Sequence, residues 1–191
     1  MSAKTTNIMI VGVGGQGTLL ASRILGNAVI RQGHDVKVSE VHGMSQRGGS
    51  VVTYVKYGEA VYSPIIDKGE ADIILAFELL EAYRALPYLK KGGKMIVNAQ
   101  RINPMPVITG AMEYPVEIEE KLSSLVDLTS LDALSLAREA GNIKAVNVVL
   151  IGVMAKNTEI PYEEWIETIK ATVPAKFLEV NLKAFDLGYH L

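Results

Sequence analysis

Residues 8–33 read IMIVGVGGQGTLLASRILGNAVIRQG, a β-branched apolar run that stops at clustered glycines and gives way to helical spacing. A short apolar run bounded by glycine reads as a buried strand, here Asn7 to Val13. From Gly15 to about Gln32, Leu19, Leu20, Ile24, Leu25 and Val29 recur at helical spacing, and Gly33 stops the helix. A strand, a glycine turn and a helix in that order belong to architectures in which helices cover a parallel sheet.

The remaining sequence repeats the alternation. HDVKVSEV (34–41) alternates as a second strand, and SVVTYVKYGEAVYS (50–63) reads as two strands around a Gly-Glu turn. ADIILAF (71–77) is a further buried strand, and the helix ELLEAYRALPYL that follows is bent or ended by Pro87. KKGGKMIVN (90–98) reads as a turn and a strand, whereas the prolines of NPMPVITG (103–110) suit only a sheet edge. Helices are expected near 116–124, 130–140, 144–157, 162–173 and 175–186, with a short strand LVDLT after the first. The expected fold is a three-layer, Rossmann-like α/β domain with a mostly parallel sheet, an inserted β-hairpin and a helix-rich C-terminal part from about 116 to 191. It is expected to form a single domain over 1–191.

Composition narrows the function. The chain has no cysteine, which excludes disulfides, thiol catalysis and cysteine-ligated iron–sulfur clusters within it. A net charge of −2 gives no basic footprint for nucleic acid. The apolar stretch in MSAKTTNIMIV is too short for a secretory signal, and no apolar run is long enough for a membrane span, so a cytoplasmic location is expected. No His/Asp/Glu cluster stands at metal-ligand spacing, and no residue takes a catalytic role from sequence alone.

Gly12, Gly14 and Gly17 satisfy G-x-G-x-x-G between strand and helix, where backbone N–H groups at a helix start attract anions. A phosphate loop of the ATPase type would carry lysine after the last glycine, and here that residue is Thr18. A dinucleotide site wants an acid ending the second strand, and Glu40 stands there. Dinucleotide binding, another phosphate-bearing ligand and a purely structural turn all remain open for Gly12, Gly14, Gly15, Gln16, Gly17 and Thr18.

The second strand runs into EVHGMSQRGGSVV (40–52), which gathers His42, Met44, Ser45, Gln46 and Arg47 between Gly43 and the pair Gly48 and Gly49. In an open α/β sheet the carboxyl ends of the strands are where ligands bind. Arg47 offers a planar fork for phosphate or carboxylate, or else a cap on local carbonyls or a partner for Glu40. His42 is a candidate proton-exchanging imidazole, or is simply an exposed loop residue.

GVGGQG followed by EVHGMSQRGGSV resembles the gamma-type domain of the 2-oxoacid:ferredoxin oxidoreductases (the pyruvate/ketoisovalerate oxidoreductase family), and in its Glu-x-His-Gly-Met approach the small subunits of the branch acting on indolepyruvate. The likeness continues through 71–98 and AVNVVLIGVMAK (145–156). The resemblance implies a subunit of an enzyme that oxidatively decarboxylates an aryl pyruvate to acyl-coenzyme A and passes electrons to ferredoxin. Thiamine diphosphate, magnesium and the 4Fe–4S clusters would belong to a large partner subunit. The isolated chain would be inactive, with a homodimer possible when it is alone.

On this reading Gly14, Gly15, Gln16, Gly17 and Thr18 cradle a phosphate-bearing group, with coenzyme A the leading candidate and Arg47 an added contact. Alternatively the segment from Glu40 through His42, Met44, Ser45 and Gln46 to Gly48 and Gly49 is an interface element, since glycine permits close approach and methionine fills irregular gaps. Asn147, in the apolar AVNVVLIGVMA, needs a hydrogen-bond partner in the first motif or the partner subunit. Glu78 and Glu81 read as acids favouring a helix start, and Trp165 as packing. A free-standing NAD(P)-binding oxidoreductase and a purely structural interaction domain are the competing functions. No Tyr-x-x-x-Lys pair stands in a convincing place for the former.

Overall fold

The computed structural model describes residues 5–43 and 49–191. Six strands form one sheet: β1 (Thr5–Val13), β2 (Asp35–His42), β3 (Ser50–Gly58), β4 (Ala71–Ala76), β5 (Leu89–Asn98) and β6 (Asp127–Leu131). Their order is β2-β3-β1-β4-β5-β6. β1, β4, β5 and β6 pair in parallel, and β3 runs antiparallel to both β1 and β2. The helices are α1 (Thr18–Arg31), α2 (Leu79–Ala85), α3 (Met105–Ile108), α4 (Ile118–Leu125), α5 (Ala133–Ala140), α6 (Val146–Ala155), α7 (Tyr162–Thr172) and α8 (Leu178–Tyr189). Short 3-10 turns follow α2, at Pro87, and precede α6 and α8.

The central strands bury both faces because helices lie on both. On one side Ile8, Ile10, Leu75 and Ile96 meet α1, α5, α6, α7 and α8. On the other, Met9, Val11, Ile74 and Val97 meet α2 and α4. Burial at this density supplies most of the folding drive, about 1.5–3 kcal/mol per fully buried aliphatic side chain. All ten residues of α6 are buried, which accounts for its uniformly apolar sequence.

Two expectations give way. Only 50–58 of the segment 50–63 is a strand, and the hairpin is made by β2 and β3. Beyond Gly58 the chain leaves the sheet, because Asp35 Oδ2 takes the Val61 N–H at 2.8 Å and turns it inward. The segment 103–110 is no edge strand. Pro104 caps α3 and Pro106 lies in its first turn, where a missing N–H costs nothing, and β6 holds the edge.

α6 and α8 cross closely enough that only glycine fits at Gly152 and Gly188. A Cβ at Gly152 would collide with the Phe185 carbonyl, and one at Gly188 with the Val149 carbonyl. Gly152→Ala is expected to lower stability by about 1–3 kcal/mol, the cost of overpacking, read as a reduced midpoint in urea unfolding.

Candidate functional site

The carboxyl ends of β1, β2, β4, β5 and β6 share one rim of the sheet, and the glycine loop sits on it. Gln16 builds that loop. Its Oε1 accepts from the Val13 N–H at 2.8 Å, and its Nε2 donates to the Phe77 carbonyl at 3.0 Å, tying the end of β1 to the end of β4. Asn98 donates to the same carbonyl at 3.2 Å and accepts the Ala133 N–H at 3.1 Å, adding β5 and α5.

Gly12 is buried in β1, where a Cβ would press on Gln16 and Phe77, so packing alone already calls for glycine there. Gly17 caps α1 with φ +84°, a conformation that favours glycine. Its carbonyl accepts from Asn147 Nδ2 at 3.2 Å, so the amide of α6 does reach the first motif. Gly15, at φ +96°, faces open space. Thr18 opens α1 with only 6% of its surface exposed. Among the described residues no acceptor meets the N–H groups of Gly15, Gly17 and Thr18, which is the arrangement that attracts an anion.

The two motifs meet directly. Gly14 N–H donates to the Gly49 carbonyl at 2.9 Å, and Gly43 N–H donates to the Ser50 carbonyl at 2.9 Å. Met44, Ser45, Gln46, Arg47 and Gly48 lie outside the described residues. Glu40 is engaged locally. It accepts from Thr53 Oγ1 at 2.9 Å and pairs with His42 Nε2 at 2.7 Å, while His42 is largely exposed at the end of β2. In a dinucleotide fold the second strand neighbours the first, and here β3 occupies that place.

Beside this junction lies a cluster that the helix-dipole reading of Glu78 and Glu81 understated. Glu78 caps α2, accepting the Glu81 N–H at 3.0 Å, and also takes the Ile102 N–H at 3.0 Å and the Tyr114 hydroxyl at 2.6 Å. Glu81 accepts from Ser50 Oγ at 2.6 Å and from Arg84 at 2.6 Å, linking α2 to the first residue of β3. Arg101 stacks 4.1 Å above the Tyr114 ring. Both acids are almost wholly buried, and each is satisfied by several donors, as burial of charge demands. The sequence signal was two acids three residues apart directly after an apolar strand.

Glycine loop and second motif thus meet on the carboxyl rim of a mostly parallel sheet, the rim at which open α/β sheets generally hold ligands. The sequence matches the model for pyruvate ferredoxin/flavodoxin oxidoreductase over residues 7–191, and the chain belongs to that family. It is 49% identical to indolepyruvate oxidoreductase subunit IorB of Thermococcus kodakarensis, the alignment covering 97% of this chain and 95% of that one. The keto/oxoacid ferredoxin oxidoreductase gamma subunit of Geobacter sulfurreducens has the same fold, with a TM-score of 0.72 at 24% identity over 97% of this chain and 96% of that chain. A 2-oxoglutarate:ferredoxin oxidoreductase of Magnetococcus marinus, solved with 2-oxoglutarate, coenzyme A and succinyl-CoA, matches with a TM-score of 0.75 at 20% identity. There the match covers 98% of this chain but 31% of the other. The family expected from the two motifs is therefore the family found.

Burial raises the pKa of Tyr114 above its ordinary value, and the bond to Glu78 and that residue's charge raise it further. The folded state holds this proton more tightly than the unfolded one, so the contribution is intact below about pH 10 and lost as pH rises beyond it. Tyr114→Phe is expected to cost about 1.5–3 kcal/mol, the worth of a bond to a charged group. In urea unfolding, the gap between the two proteins should hold from about pH 7 to about pH 9 and narrow as pH rises beyond about 10.

Proposed function

We propose that this chain is the small subunit of an indolepyruvate-type 2-oxoacid:ferredoxin oxidoreductase, and that residues Gly14 to Thr18 hold the phosphate-bearing end of coenzyme A. The observation that carries the site is the open row of N–H groups at Gly15, Gly17 and Thr18 on the carboxyl rim. The 49% identity with the IorB subunit of Thermococcus kodakarensis over 97% of this chain supports the substrate class. Arg47, adjacent in sequence to the Gly48–Gly49 pair, supplies a charge-assisted contact to the same ligand. Coenzyme A brings a thiol that accepts the acyl group. The residues of this chain contribute binding and orientation.

Thiamine diphosphate, magnesium and 4Fe–4S clusters are assigned to a large partner subunit, through which electrons reach ferredoxin. The absence of cysteine from the sequence supports that division for the clusters. No described helix is long and apolar enough to cross a membrane, and a cytoplasmic complex is the working assignment.

A second reading has a specific observation behind it. Val41 and His42 are exposed where β2 enters the second motif, so residues 42–49 also suit a subunit contact. The two readings separate by measurement. Co-expressed with its large subunit, the chain is expected to support indolepyruvate- and coenzyme A-dependent dye reduction that neither subunit gives alone. Arg47→Ala should raise the KM for coenzyme A about tenfold to a hundredfold, the worth of one charged hydrogen bond, with thiamine content unchanged. An unchanged KM with a loosened complex would assign Arg47 to the interface instead. Full activity from the large subunit alone would overturn the subunit role.

A further inference from the structure

A loop rich in glycine takes its shape from whatever holds it, because glycine itself imposes little. Gln16 holds this one from within, through Val13 and Phe77. The second motif holds it from outside, where Gly14 N–H donates to the Gly49 carbonyl at 2.9 Å. That bond fixes the peptide just before Gly15, whose N–H begins the row left without an acceptor among the described residues. The Gly49 carbonyl belongs to a glycine as well, so its own constraint has to come from the next residue along.

Ser50 is that residue. It lies opposite Val13, the last residue of β1, and its carbonyl accepts the Gly43 N–H at 2.9 Å. Both are backbone contacts between neighbouring strands. The hydroxyl reaches elsewhere, donating to Glu81 Oε2 on α2 at 2.6 Å. Side chains alternate across a strand, and Val52 and Tyr54, on the same face of β3 as Ser50, pack on the α2 side of the sheet. Glu81 is a stiff anchor. It is 3% exposed, its N–H is held by Glu78 at 3.0 Å, and its other oxygen is held by Arg84 at 2.6 Å. Glu78 is fastened in turn by the Ile102 N–H and the Tyr114 hydroxyl, in the excursion between β5 and α4. A hydroxyl donating to a buried carboxylate is a charge-assisted bond, among the stronger ones a side chain makes.

We infer that Ser50, anchored on Glu81, is a positioning residue for coenzyme A. Its hydroxyl bond sets the place of the Gly49 carbonyl, and through the Gly14 N–H it sets the aim of the open N–H row at Gly15, Gly17 and Thr18. This rests on the reading that the loop holds the phosphate-bearing end of coenzyme A. Ser50 acts through the backbone and not by touching the ligand. The phosphate-bearing end lies away from the reacting thiol and is held alike in ground state and transition state. Loss of the tether therefore raises KM and leaves kcat in place.

The test is dye reduction by the complex co-expressed with its large subunit, at saturating indolepyruvate with coenzyme A varied. Three variants are compared with the unsubstituted complex. Ser50→Ala deletes the hydroxyl, Ser50→Thr keeps one, and Gly15→Ala strains the loop directly at its φ of +96°. Ser50→Ala should raise the KM for coenzyme A about twofold to thirtyfold, the range for coupling carried through a hydrogen-bond network, with kcat little changed. Ser50→Thr should bring KM most of the way back, and Gly15→Ala should raise it. An unchanged KM in Ser50→Ala, beside a raised one in Gly15→Ala, overturns the positioning role and leaves the coenzyme A reading standing. A loss as large in Ser50→Thr as in Ser50→Ala, or one that falls on kcat, marks general damage and also overturns it. A rise in Ser50→Ala with none in Gly15→Ala bypasses the loop and overturns it too. Unchanged KM in both, or no coenzyme A-dependent turnover from the unsubstituted complex, overturns the reading of the loop and this inference with it.

Discussion

One side-chain amide organises the rim of this protein. Gln16 takes the last N–H of β1 and gives its own to the chain leaving β4, so neighbouring parallel strands end at a common height. Without that bridge the glycines would have no fixed frame, for glycine supplies freedom and something else must remove it. Asn98 repeats the device one strand further and reaches α5. The carboxyl rim is therefore a row of strand ends laced by amides, on which loops can be displayed rigidly.

The second organising element is the insertion of β3 between β2 and β1. It moves the second strand outward and brings Gly49 against Gly14, so that two loops remote in sequence share a hydrogen bond. The same insertion delivers Ser50 to Glu81 and thereby to α2. Glu78, at the head of that helix, anchors the excursion after β5. Two buried acids three residues apart thus join the first residue of β3 to the loop after β5. Satisfied on several sides, such groups fix geometry more than they add net stability.

The order and type of most elements were legible in the sequence, because β1, β4, β5 and α6 bury so fully that their composition announces them. The hairpin was legible as a hairpin but assigned to the wrong pair. Alternation in VVTYVKYGEAVYS continues past Gly58, and nothing local reveals that Asp35 will draw Val61 inward. The prolines at 104 and 106 were read as marking a sheet edge when they serve equally well at a helix start. At the site, Asn147 was predicted to need a partner and found Gly17. The partners of Glu78 and Glu81 were invisible, since Tyr114, Ile102 and Ser50 lie twenty to forty positions away.

The close crossing of α6 and α8 reaches further than packing. Asn147 stands in the first turn of α6, and its amide holds the carbonyl at the head of α1. The depth to which α6 settles is set by α8, which glycine allows to lie almost backbone to backbone against it. The C-terminal helix is in that sense a shim. Its thickness, read through one rigid rod, sets the height of a loop at the opposite end of the sequence, so the two termini of the chain are under joint geometric control.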